Sequence, residues 1–389
     1  MEDELEQPTA PRMLGTSRGV SLAGVLEKIT RQFTAEVENR PEILLESDAA
    51  ARRALIKDIT DYVLAVETIR LTREDRLAVM DAAYRDLFEF GVLHALLSDP
   101  AVDEIEIAAS DRIFARRNGQ KSLTEVQFED NSQFERVTRR VLLTAGIVLE
   151  SGEPILEAGA VFARRMARIT ATLPPISQSL QVHLRLHPVT PLTLDDLVAN
   201  ETLSAEEAQK LRAWIAARRG IMIVGDVDSG KTTLIGALLP IIAAQAGEHR
   251  LVQRALELHP NPAITPILGG EDFPTRLKLS LKDLSQVVGY LIADEIRFDE
   301  SREMWDAITE SHKPPLLWAF RGATDPLRLR TAFSMSVRRA MGSIDQAVIN
   351  RGLLDRLPCV ATMARRGGNI KLIRLAEWGI EGDSLTLLS

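Results

Sequence analysis

Ile221-Met222-Ile223-Val224-Gly225-Asp226-Val227-Asp228-Ser229-Gly230-Lys231-Thr232-Thr233-Leu234-Ile235-Gly236-Ala237-Leu238-Leu239 is the stretch on which the reading of this chain turns. Its middle nine residues fit G-x-x-x-x-G-K-[ST], the pattern of a phosphate-binding loop. The four apolar residues before it read as a buried strand, and the residues after it as the first turns of a helix. A strand, a glycine-rich turn and a helix N-terminus aim several backbone N–H groups at one point, with the positive end of the helix dipole behind them. Gly225, Asp226, Val227, Asp228, Ser229, Gly230, Lys231, Thr232 and Thr233 then form a cradle for a nucleotide such as ATP. Lys231 reaches the β/γ-phosphates and the Thr232 hydroxyl holds Mg²⁺. An accidental glycine turn is the competing reading, and the strand-before, helix-after context weighs against it.

A loop of this kind needs a carboxylate at the end of a neighbouring strand, to hold the Mg²⁺ shell and polarise the attacking water. Tyr290-Leu291-Ile292-Ala293-Asp294-Glu295 supplies an apolar run and then two acids. Asp294 would bind Mg²⁺ through water and Glu295 would orient or deprotonate the nucleophile; two solvated acids at a strand end are the plainer alternative. Arg297 shares the face of Glu295 on an extended segment, and could neutralise γ-phosphate charge or pair with Glu295. His312, after a helical stretch, could sense the γ-phosphate or serve structure alone. Asp226 and Asp228 put two acids inside an anion cradle. One carboxylate pointing inward about 5 Å from a phosphate charge would cost about 3 kcal/mol at an effective dielectric near 20. That is roughly a hundredfold in affinity. Turned to solvent, the same charge would be largely screened.

The bulk properties set bounds. With 389 residues the chain has room for two or three domains, each with its own core. A formal net charge of -8 argues against a protein that coats nucleic acid. Cys359 is the single cysteine, which excludes an intrachain disulfide or a cysteine-based zinc site and suits a reducing cytoplasm. No run approaches 18 apolar residues, so no membrane-spanning helix is expected, and the acidic start lacks the apolar core of a secretory signal.

Along the chain, residues 1–20 are acidic and then rich in Pro, Gly and Ser, the composition of a disordered tail. Residues 21–89 carry a helical period: Leu22, Val25, Leu26 and Ile29 share one face, and Leu55, Ile56, Ile59, Tyr62, Val63 and Val66 another. Thr72 with Asp75 resembles a capping box for a helix beginning near Arg73. Residues 90–187 read as a small α+β domain, with strands at Ile105–Ile107, Ile113–Ala115, Val126–Phe128, Ala167–Thr172 and Gln181–Leu186 and a helix at Ser132–Thr144. Pro188 and Pro191 mark a linker into an α/β region, residues 188–389.

Taken together these residues resemble the type II/type IV secretion ATPase superfamily, most closely the CpaF-like ATPases of Tad/Flp pilus assembly. Phe90 through Ile105, with Leu97-Ser98-Asp99-Pro100, is similar to that family's opening of its N-terminal domain. Glu153–Ala158, Arg168-Ile169-Thr170-Ala171-Thr172-Leu173-Pro174-Pro175 and Leu192-Thr193-Leu194-Asp195-Asp196-Leu197-Val198 are similar to later family elements, as are Arg351–Arg356 and Glu381–Leu387. The resemblance implies an α/β fold in which a RecA-like P-loop domain follows an α+β domain that covers the nucleotide. It also implies a hexameric homo-oligomer beneath inner-membrane platform proteins, on the cytoplasmic side. It assigns phosphate and Mg²⁺ to Lys231 and Thr232, the acidic position to Glu295, and supporting roles to Arg297 and His312. It gives Arg185 a place joining the N-terminal domain to the nucleotide site. Glu257, in Arg254-Ala255-Leu256-Glu257, stands where the family has an acidic element. Phe320 replaces a family histidine, Gly159 replaces a family arginine, and the family loop lacks Asp226 and Asp228. Two functions therefore stand side by side: an ATP-hydrolysing motor subunit, and a slow or non-hydrolysing paralogue with a structural or regulatory role.

Overall fold

The computed structural model describes residues 21–40, 48–117, 119–149, 152–253, 255–268, 289–295, 305, 314–322, 324–381 and 384–388. The chain divides into two units, residues 1–154 with 172–183, and residues 155–171 with 184–389.

The first unit opens with three helices, α1 (Leu22–Asn39), α2 (Ala49–Val66) and α3 (Arg73–Phe88). Each starts on a side chain that accepts from a first-turn N–H: Ser21, Asp48 and Thr72. The expected Thr72 cap is present, its Oγ1 accepting from Asp75 N–H at 3.1 Å. Val25, Ile29, Ile56, Ile59, Val79 and Ala83 form the shared core. The apolar face expected for α2 is too wide, because Tyr62 and Val66 are 54% and 61% exposed. Ile56, Ile59, Thr60 and Val63 follow the i, i+3, i+4, i+7 stripe, and Tyr62 falls about 60° outside its edge.

Beyond the short helix α4 (His94–Ser98), β1 (Val102–Ala109), β2 (Arg112–Arg117) and β3 (Gln120–Leu123) form an antiparallel meander. The strand expected at Val126–Phe128 is therefore displaced. Arg117 pairs directly with Gln120, so the third strand begins immediately. Phe128 is instead a core residue, its N–H donating to Ser110 O at 2.8 Å. Helix α5 (Asn131–Thr144) starts on Asp130, and its Gln133 and Arg136 bond the buried Asp86 carboxylate at 2.9 and 2.6 Å.

Next in the chain, β4 (Ile155–Phe162) lies beside β5 (Arg165–Thr172), and β5 beside β6 (Gln181–Leu186); the rest of the described chain belongs to the second unit. Helices α6 (Leu194–Ala199) and α7 (Ala205–Ala216) each begin with a complete capping box, Thr193/Asp196 and Ser204/Glu207. There follow β7 (Ile221–Gly225), α8 (Lys231–Ala243), β8 (His249–Gln253), β9 (Ile264–Leu268), β10 (Leu291–Ala293) and β11 (Leu316–Arg321). The chain closes with α9 (Pro326–Met341), α10 (Gln346–Arg356), β12 (Cys359–Arg366), β13 (Asn369–Glu381) and β14 (Ser384–Leu388).

These eight strands form one sheet in the order β14-β13-β12-β7-β11-β10-β8-β9. It is parallel from β12 through β9, with β13 and β14 added antiparallel. Both faces are covered, as a parallel sheet requires. Successive residues of β7 alternate between them: Ile221 and Ile223 pack with α7 and α8, and Met222 and Val224 with α9 and α10. The acids were expected on a strand next to the P-loop strand, but β11 lies between β7 and β10.

Candidate nucleotide site

Close backbone approach explains two glycines of the loop. A Cβ on Gly225 would meet Met363 O and Ser229 Oγ, each at 2.4 Å. Gly230 has φ +90°, and a Cβ there would meet Ile370 Cγ2 at 2.4 Å. The chain then enters α8 at Lys231, where the first N–H groups of a helix have no intrahelical acceptor. Lys231 Nζ donates to Gly225 O at 3.0 Å and Asp226 O at 2.6 Å. Burial lowers its pKa, against the pull of Glu295, Asp294 and Asp226. Ser229 is buried, and its Oγ has no hydrogen-bond partner among the described residues. Asp226 and Val227 are exposed, and Thr232 and Thr233 half-buried at the start of α8.

Asp294 follows β10 and is 7% exposed. The nearby Thr232 hydroxyl favours its charged form, so the loop helix and the acidic strand end lie close together. Its Oδ1 has no hydrogen-bond partner among the described residues. Burial raises its pKa, and the neighbouring charge of Glu257 raises it further. A buried carboxylate that resists ionisation beside a lysine and a threonine hydroxyl is an arrangement that a cation would relieve. Oxygen donors of this kind suit a hard divalent ion, and the glycine-lined turn suits a phosphate. The residues therefore fit both Mg²⁺ and a nucleotide.

One residue not singled out in the sequence organises the acids. Arg168, on β5, donates to Glu257 Oε1 at 2.8 Å and Glu157 Oε1 at 2.9 Å, and its Nη1 lies 3.8 Å from Glu295 Oε2. Burial works against this charge, but Glu257, Glu157 and Glu295 outweigh it and push the pKa up. The signal available in the sequence was an arginine in the alternating strand Arg165–Thr172, where a half-buried charge needs partners. Glu257 is buried beside it, and His187 Nε2 stands 3.6 Å from Glu257 Oε2. Burial first, then Arg185 and other cations, push His187 down to about 4. The imidazole is neutral at pH 7, and the contact is then not an ion pair. Thr232, Thr233, Gly236, Glu257, His187 and Asn261 help line a pocket of about 150 Å³ beside the start of α8.

The structure thus brings Lys231, Thr232, Asp294, Glu295 and Glu257 into one neighbourhood. Arg185 is turned onto the loop itself, its Nη1 2.8 Å from Asp228 Oδ1. Arg297, His312 and Arg254 lie outside the described residues. Phe320 is a core residue, edge-on to Phe333 with centroids 5.6 Å apart. Gly159 has no room for the longer side chain of the resembled family, because a Cβ there would fall 2.1 Å from Leu256 N.

No protein-family model matches the chain. A Mycobacterium tuberculosis protein named for conjugal transfer is 25% identical over 317 residues, 77% of this chain and 87% of that protein. The conjugal transfer protein TrbB of Rhizobium radiobacter is 34% identical over 85 residues, 22% of this chain and 26% of that protein. Among solved structures, the Legionella pneumophila ATPase DotB aligns with a TM-score of 0.51 at 15% identity, over 72% of this chain and 76% of its own. The pilus retraction motor PilT with bound ADP aligns with a TM-score of 0.52 at 12% identity, over 77% of this chain and 83% of its own. The chain shares the RecA-like fold of these two ATPase structures. Within the described residues no helix is long and apolar enough to cross a membrane.

Proposed function

We propose that this protein binds Mg·ATP between its P-loop and the Asp294–Glu295 strand end, and hydrolyses it as a motor subunit of a secretion, conjugation or pilus-assembly machine. The observation that carries this reading is the convergence of Thr232 and Lys231, from the loop, on the buried Asp294 at the end of β10. Thr232 and Asp294 would hold Mg²⁺, which when bound spreads the charge of the β/γ-phosphates. Lys231 and the first N–H groups of α8 bind phosphate oxygens. Glu295 orients the attacking water and accepts its proton. Arg168 holds Glu257 in place and stands beside Glu295. The names of the conjugal transfer relatives and of DotB and PilT support the machine class. The CpaF-like Tad/Flp subtype, the hexameric ring, the inner-membrane platform partners and the cytoplasmic location belong to this proposal through the sequence resemblance.

A second reading, a slow or non-hydrolysing paralogue, is favoured by the pairing of Asp228 with Arg185 and by Phe320 in the core. Steady-state ATPase assays of the full chain beside Lys231→Ala and Glu295→Gln separate the two. Motor activity predicts turnover that falls about a hundredfold or more in each variant, with Glu295→Gln retaining binding. Turnover unchanged by both substitutions rejects catalysis at this site.

A further inference from the structure

Asp228 has a specific partner that the nucleotide reading does not use. Its backbone is left-handed, φ 59°, a region that Asp, Asn and Gly enter with least strain. Its Oδ1 lies 2.8 Å from Arg185 Nη1. A second arginine fixes the same residue from the β12–β13 hairpin: Arg365 Nε donates to Asp228 O at 3.3 Å, and its Nη1 to Gly368 O at 2.7 Å. Ile370 of that hairpin packs against Gly230. Lys231 Nζ is turned onto the loop carbonyls of Gly225 and Asp226. In this conformation Lys231 and Arg185 are both engaged by the loop's own oxygens. Both members of the Asp228–Arg185 pair are more than a third exposed, so the pair adds little to stability. Its consequence falls on the charge of the loop.

A guanidinium matches phosphate oxygens at least as well as it matches a carboxylate. We propose that Asp228 is an internal competitor for the polyphosphate: it holds Arg185 at the loop, and a nucleoside triphosphate binds by exchange, Arg185 passing from the Asp228 carboxylate to phosphate oxygens. This rests on the nucleotide reading of the loop. It makes Asp228 a determinant of affinity, and ties capture of the triphosphate to movement of the β6 arginine.

The test is calorimetric titration of Mg·ATP into the full chain and into Asp228→Asn, Asp228→Gly, Arg185→Gln, Arg185→Gln/Asp228→Asn and Lys231→Ala. Asn and Gly both accept the left-handed backbone, and circular dichroism of each variant checks folding. Exchange predicts that both Asp228 variants bind about tenfold more tightly than the wild type. In the Arg185→Gln background the gain should shrink to about twofold, the remainder being screened repulsion. An equal gain in the two backgrounds, or no gain in either, overturns the exchange. If Lys231→Ala still abolishes binding in that case, the nucleotide reading stands alone. If neither the wild type nor the Asp228 variants bind, or Lys231→Ala binds as they do, both fall together.

Discussion

Replacing Arg168 by Met removes one guanidinium from three carboxylates while keeping most of the side chain's bulk. Arg168 is 19% exposed and Glu257 7%, so water cannot take the place of the lost cation on Glu257. Removing one partner of a buried ion pair costs about 3–5 kcal/mol. The partial exposure of Arg168 puts the expected loss near the lower end, about 3 kcal/mol. The 3.8 Å contact to Glu295 adds little to that figure. Most of the loss is the stranded charge of Glu257, beside an Asp294 that is already hard to ionise. Arg168→Met/Glu257→Gln should therefore recover about half of it, since the double variant no longer strands the buried Glu257 charge. Urea denaturation followed by tryptophan fluorescence reads this directly, a constant slope showing that only stability has changed. A loss below about 0.5 kcal/mol for Arg168→Met, within the range of ordinary surface changes, would refute the reasoning. So would a double variant no more stable than the single one.

Two further outcomes follow from the same geometry. Burial holds the folded-state pKa of Asp294 above its unfolded value. Above the folded pKa the native state carries an unwelcome charge, and below the unfolded pKa the penalty vanishes. Asp294→Asn should accordingly stabilise the protein by about 2 kcal/mol at pH 8, with the advantage shrinking as pH falls towards the unfolded value. Thermal unfolding from pH 8 to pH 5 checks it, and an advantage that grows on acidification would contradict it. Phe320→His, which places there the residue of the resembled family, should cost about 2 kcal/mol because an imidazole replaces a ring packed on Phe333. It should not raise ATPase turnover; a stable variant with faster turnover would show the position to be catalytic.

Much of the fold was legible because local signals agreed. Val224-Gly225 and Gly230-Lys231 mark a strand end and a helix start, and the backbone there has no space for a Cβ at either glycine. Thr72 caps α3 as its sequence suggested. What failed was set by non-local pairing. Nothing in Leu291–Ala293 says that β11 intervenes between it and β7, because strand order is fixed by crossovers and not by composition. Tyr62 is apolar yet exposed because it falls outside the stripe of α2 that fills the core, and Val66, on that stripe, is exposed at the helix's last residue. In the site, Lys231, Thr232 and Asp294 were legible from motif spacing. Arg168 was not, because its partners Glu157, Glu257 and Glu295 are scattered along the chain. The sequence leaves the two loop acids either repelling phosphate or turned to solvent, and Asp228 instead pairs with Arg185.

The most direct measurement of the central claim is calorimetric titration of ATP into the wild type and Lys231→Ala, with and without Mg²⁺. The account predicts one site per chain, tightened by Mg²⁺ in the wild type and abolished in Lys231→Ala. Binding indifferent to both Mg²⁺ and Lys231, or no binding heat at any temperature tried, would contradict it.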